Sequence, residues 1–93
     1  MIKDGDTYEN FMLEYNSDNF DTAAMYLRVI ISNGYKNFKQ SQEDIQAELV
    51  KLLKEMKRIN LLINSEPELF HIISLIGQSL EAGMILSVDQ LLN

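Results

Sequence analysis

The sequence predicts an all-α fold: a small three- to four-helix bundle with one long central amphipathic helix over about residues 41–63 and a short C-terminal turn. Three observations lead there. Ile45, Leu49, Leu52, Met56, Ile59 and Ile63 recur at spacings of 4, 3, 4, 3 and 4, a coiled-coil seam sustained for almost three heptads. Ser41 with Asp44, and Ser65 with Glu68, each place a serine three residues before an acid, as helix capping boxes do. Gly34 and Gly83 stand where helices should stop.

The first helix is short, about Thr7 to Tyr15. Tyr8, Phe11, Met12 and Tyr15 follow the spacing of a buried stripe. Asp6 or Thr7 can cap its start, and Glu9 suits the positive end of the helix dipole. The polar run Asn16-Ser17-Asp18-Asn19 reads as a turn. A second helix begins at Asp18 or Asn19 and ends by Asn33. Its apolar face is Phe20, Ala23, Ala24, Leu27, Ile30 and Ile31, and Gly34 follows as a left-handed C′ residue. Between Tyr35 and Gln40 no period is visible, although Tyr35 and Phe38 are expected to pack on the core.

The third helix carries the strongest signal. Val50, Leu53 and Leu62 widen its seam, which suggests packing against two neighbours. Glu43, Asp44 and Glu48 come early and Lys51, Lys54, Lys57 and Arg58 late, the order the helix dipole favours. A fourth helix starts at Ser65, with Pro67 in the first turn, where a missing N–H costs nothing. Leu69, Ile72, Ile73, Ile76 and Leu80 build one face, and Phe70 and Leu75 lie off it. A helix apolar over so much of its circumference is central or lies at an interface. Gly77 falls mid-helix at a cost of roughly 1 kcal/mol relative to Ala, and leaves room for another helix to approach closely. Ser87 and Gln90 can cap a last turn over Val88 to Leu92.

At 93 residues the chain is one helical domain, 1–93, with residues 1–6 an acidic flexible N-terminus. So short a chain buries only a thin core, and oligomerisation is a common way to bury more. No cysteine is present, which excludes disulfides and cysteine-ligated metals and fits a reducing, cytoplasmic location. The polar start is not a secretory signal, and no apolar stretch approaches the roughly 18–20 residues that span a bilayer.

Fourteen acids against eight bases leave a net charge of −6. That balance argues against direct nucleic-acid binding and favours a basic protein partner. The charge is uneven. Residues 22–40 carry Arg28, Lys36 and Lys39 with no acid, whereas residues 65–93 carry Glu66, Glu68, Glu81 and Asp89 with no base.

Residues that bear chemistry are few. His71, the one histidine, sits early in the fourth helix between Phe70 and Ile72, where packing or an interface outweighs catalysis. Asp4, Asp6 and Glu9 lack the full calcium-loop pattern. Glu43, Asp44 and Glu48 lack the Glu-x-x-His motifs of a di-iron site. No nucleophile elbow, phosphate loop or dinucleotide fingerprint occurs. No catalytic group, metal or cofactor is therefore expected. Seven of the eight aromatic residues fall in the first 38 positions, mostly to fill the core. Tyr26, off the Phe20–Ile31 stripe, is the best candidate among them for a partner contact.

The run from Asp18 to Ile30 resembles the second helix of a tetratricopeptide repeat. Phe20, Ala23 and Leu27 match that pattern in type, while Ile30 is larger than it expects, and no second copy follows about 34 residues on. The resemblance implies peptide binding in a helical groove, as in small secretion chaperones.

The functional expectation is a small acidic, non-enzymatic interaction module that forms a homodimer through helices three and four. By analogy of size and charge, bacterial or phage regulators, chaperones and immunity-type inhibitors fit. An acidic nucleic-acid mimic is the alternative. Candidate partner-binding residues are Tyr26, Val50, Leu53, Leu62, Phe70, His71 and Leu75.

Overall fold

A computed structural model describes residues 4–35, 37–38, 41–84 and 87–89. Among them are four α-helices: α1 (Asp4–Asn16), α2 (Phe20–Gly34), α3 (Gln42–Arg58) and α4 (Glu66–Glu81). The described residues hold no strand. The bundle expected from the apolar periodicity is the one observed. Val88 and Asp89 are helical, and the rest of the expected C-terminal turn lies outside the described residues.

The helix starts follow local chemistry. Ser41 Oγ accepts from the Asp44 N–H at 3.2 Å and donates to the Asp44 carboxylate at 2.8 Å. Ser65 Oγ accepts from the Glu68 N–H at 3.4 Å, and the Glu68 carboxylate reaches back to the Asn64 N–H at 3.1 Å. Both serines therefore cap their helices as expected, while the acids return differently from a full capping box: Asp44 to the serine hydroxyl and Glu68 to the N–H one residue outward. α1 departs from expectation. It begins at Asp4, so Asp6 and Thr7 lie within it rather than capping it, and residues 4–6 are helical rather than a flexible tail. Asn19 precedes α2 without a side-chain cap bond, and its side-chain amide donates to Glu14 at 2.9 Å.

Three of the helix ends share one device. Asp18 (φ 63°), Asn60 (φ 58°) and Gly83 (φ 72°) adopt the left-handed conformation. After each, a paired 6→1 and 5→2 hydrogen bond closes the end. Asn19 and Asp18 donate to Glu14 and Tyr15, Leu61 and Asn60 to Met56 and Lys57, and Met84 and Gly83 to Ser79 and Leu80. These are Schellman motifs, two of them built on Asp and Asn, the side chains that best tolerate that conformation after glycine. Gly34, expected in that role, is instead the last helical residue of α2, and Tyr35 leaves in extended conformation.

The motif at Asn60 shortens the long helix. α3 ends at Arg58 rather than at about residue 63. Ile45, Leu49, Leu52 and Met56 are buried as the seam predicts. Ile59 is 39% exposed, and Ile63 returns to the core at 2% only because the chain has turned. The central helix is also not α3. α2 packs against α1, α3 and α4 and supplies Ala23, Ala24, Leu27, Ile30 and Ile31 to the core. The small residues at 23 and 24 suit a helix with neighbours close on several sides.

A knot of interactions around Tyr15 joins the helix ends. Its ring is fully buried, stacked with Phe11 at 5.9 Å and edge-on to Phe20 at 6.4 Å. Its hydroxyl donates to the Leu61 carbonyl at 2.6 Å. Lys57 Nζ lies 5.2 Å from the ring centroid and 3.3 Å from the Asp18 carboxylate. Burial, reinforced by the charge of Asp18, pushes the Tyr15 hydroxyl from 10.0 up to about 12.

Tyr15→Phe is expected to destabilise the fold by about 1–3 kcal/mol, because the Leu61 carbonyl loses its donor. Since the folded value is raised, this stabilisation is whole below pH 10.0 and lost as pH rises through about 12. Denaturant midpoints of the two proteins across that window should converge at the alkaline end. A gap that stays constant would dismiss the linkage.

Candidate functional site

One groove combines apolar lining, polar rim and exposure. It lies where the first half of α1, the end of α2 and the first half of α4 meet. Tyr8, Ile30, Asn33, Gly34, Tyr35, Phe70, Ile73 and Ser74 line about 290 Å3 of it. That is close to the lower bound of the roughly 300–1,000 Å3 typical of small-molecule pockets, so its natural occupant is a side chain or a small fragment.

Each wall has a local cause. Tyr8 belongs to the α1 stripe and is half-buried. Phe70 lies off the main α4 face, so packing leaves it 46% exposed. The two rings meet with centroids 4.7 Å apart and planes tilted by 56°, a favourable aromatic geometry. Tyr35 follows directly on α2 and lays its ring on α4 at Gly77. A Cβ at Gly77 would stand 2.3 Å from Tyr35 Cδ2 and 2.7 Å from Cγ. Gly77 therefore does permit a close approach, but of an aromatic ring rather than a helix.

The described lining of the groove is uncharged. Among the described residues no Lys or Arg lines it. α2 ends here with no basic residue in its last turn, so the negative end of its dipole is not offset from within the helix. Glu66 stands one turn before Phe70 and is exposed. Asn33 and Ser74 supply the polar rim.

A second hollow of about 370 Å3 lies between α3 and residues 87–89, lined by Lys51, Leu52, Glu55, Arg58, Ser87, Val88 and Asp89. Its charges are mixed and partly neutralised. Arg58 Nε donates to Glu55 at 2.8 Å, a bond that holds the Glu55 carboxyl below its ordinary range and raises Arg58. Among the described residues no three metal-ligating side chains come together. No described helix is long and apolar enough to cross a membrane.

The candidate residues read from the sequence separate into two groups. Leu53 is fully buried, and Tyr26, Val50 and Leu75 are half-buried against the core. The apolar flank of α3 is thus absorbed by its own chain, which corrects the expectation that Leu53 is part of a free binding surface. Leu62, Phe70 and His71 are exposed, His71 contrary to the partial burial expected of it. Of these only Phe70 lines the groove. Tyr8 and Tyr35 read as core residues in the sequence, and nothing in their spacing shows that their rings also wall a cavity. Met25 and Val29, 52% and 42% exposed, are a further apolar pair on the outer face of α2. The helical period signals them, since they fall opposite the Ala23–Leu27–Ile31 stripe.

The fold defines the chain as a small all-α bundle. No family model, curated protein or solved structure matches it, so the likeness of residues 18–30 to a tetratricopeptide helix stays a local one.

Gly77→Ala is expected to lower stability by about 1–3 kcal/mol through overpacking against Tyr35, although Ala favours a helix by roughly 1 kcal/mol. In a Tyr35→Ala background the same change should be neutral or stabilising. Unfolding free energies of the four proteins close the cycle. A stabilising Gly77→Ala in the wild type would mean that the ring does not rest there.

Proposed function

We propose that this chain is a non-enzymatic, cytoplasmic interaction module that holds a protein partner at the Tyr8–Tyr35–Phe70 groove. The single observation that carries this reading is Phe70. A large aromatic is left half in solvent in an aromatic-walled groove. Aromatic anchors beside a concave, partly polar rim are what protein interfaces concentrate. The net charge of −6 favours a basic partner and speeds its approach.

Phe70→Ala should cost only about 1 kcal/mol in stability, the scale of one aromatic pair. Affinity capture from the source cells should then lose a protein that the wild type retains, with circular dichroism confirming that both baits are folded. Identical captures from the two baits would reject the groove as the binding face.

A second reading, self-association, draws support from Met25 and Val29. They lie one turn apart at the centre of an α2 face otherwise occupied by Thr22 and Ser32, an uncharged strip on a charged molecule. Two copies of a chain at −6 repel, so an uncharged face is where they would meet at least cost. If this holds, Val29→Glu converts a dimer to a monomer in light scattering. A wild type already monomeric at high concentration refutes it.

A further inference from the structure

We infer that Asn33–Gly34 is a self-modification site: the Gly34 backbone nitrogen attacks the Asn33 side-chain amide, and the asparagine becomes aspartate or isoaspartate at the rim of the groove. The chemistry is independent of whether the groove binds a partner. Of the asparagines in the chain, Asn33 alone precedes a glycine, the residue that least hinders an attacking backbone nitrogen. Both residues are exposed, and among the described residues nothing hydrogen-bonds the Asn33 side chain. A Cβ at Gly34 would meet nothing within 4 Å, so the space beside it is open to the ring that must form and to water. Asn33 and Gly34 are also the last two residues of α2. Inside a helix the reaction is suppressed, because each N–H is bonded four residues back and the torsions are fixed. At a helix end that restraint is weakest, since terminal turns fray. Tyr35 closes this end: its N–H donates to the Ile31 carbonyl at 2.8 Å, and its ring rests on α4 at Gly77. The ring that walls the groove is therefore also the latch on the reaction.

The Gly34 nitrogen gives its proton to hydroxide and forms a bond to the Asn33 Cγ. The Cγ–Nδ2 bond then breaks, and ammonia leaves with a proton taken from water, which restores the hydroxide. A five-membered succinimide remains. Water opens it at Cγ to give aspartate, or at the backbone carbonyl to give isoaspartate. The net change is one water taken up and one ammonia released, with no oxidant or reductant. Either product puts a carboxylate where the described lining is uncharged. That carboxylate stands at the negative end of α2, which no basic residue of the last turn offsets, so it weakens the helix end. Isoaspartate also adds a methylene to the main chain just before Gly34, which displaces Tyr35 from its seat on Gly77.

The test incubates the full chain in buffers of rising pH and locates isoaspartate by tandem mass spectrometry of its peptides, with circular dichroism confirming the fold. Asn33 should convert several-fold faster than Asn16 and Asn64, the two asparagines followed by serine. Its rate should rise with pH, because the attacking nitrogen must lose its proton. Gly34→Ala, which the structure accommodates because a Cβ there meets nothing, should slow the conversion several-fold. Tyr35→Ala, which removes the latch, should speed it several-fold. Conversion at Asn33 no faster than at Asn16 and Asn64, or a rate unmoved by Gly34→Ala or by Tyr35→Ala, overturns the inference. Its failure is separable from that of the partner reading, since the mass shift is read without a partner. If isoaspartate forms at Asn33 while Phe70→Ala captures everything the wild type does, the modification stands and the binding face falls.

Discussion

The hydrogen bond from Tyr15 to the Leu61 carbonyl is the constraint on which the arrangement of the helices depends. A phenol ring with no exposure cannot leave its hydroxyl unpaired without losing several kcal/mol, on the order of what a small domain has to spare. The acceptor is the residue that closes the Schellman motif of α3, so the end of one helix is tied to the end of another. Lys57 and Asp18 add an ion pair across the same junction, and the Phe11 and Phe20 rings enclose it. At the other end of α1, the Tyr8 ring meets Phe70 of α4.

The helix with the best coiled-coil pattern is not the hub. α2 takes that place because its alanines admit close neighbours, whereas the outer face of α3 carries Glu43, Asp44, Lys51, Lys54, Glu55 and Arg58. The apolar flank of α3 then has somewhere to go within the chain. Leu53 is lost to view, and Val50 nearly so. Among the described residues, the large apolar groups left exposed are Leu13, Met25, Val29, Ile59, Leu62, Phe70 and Met84. A bundle of this size has few ways to hide a large side chain, so those that remain outside are informative about partners.

The groove gathers its character from backbone as much as from side chains. Its aromatic walls come from three separate segments, and the α2 end that meets it has no basic residue in its last turn. Gly77 is part of that construction, because any side chain there would lift Tyr35 off α4 and remove one wall. A mid-helix glycine that looks unfavourable in isolation is explained by the ring that covers it.

The sequence by itself determined the helical class, both serine N-caps and most of the core, because these depend on periodicity and on contacts three or four residues apart. It also placed Phe70 off the buried face of α4. Tertiary structure decided where α3 ends, since the pattern Ile59–Ile63 reads as helix until Asn60 turns left-handed and Leu61 meets Tyr15. It decided that α2 and not α3 is central, because centrality is a matter of neighbours. It also joined Tyr8, Tyr35 and Phe70 into one groove. Those residues are up to 62 positions apart (70 − 8), and local spacing carries no information about which distant rings will meet.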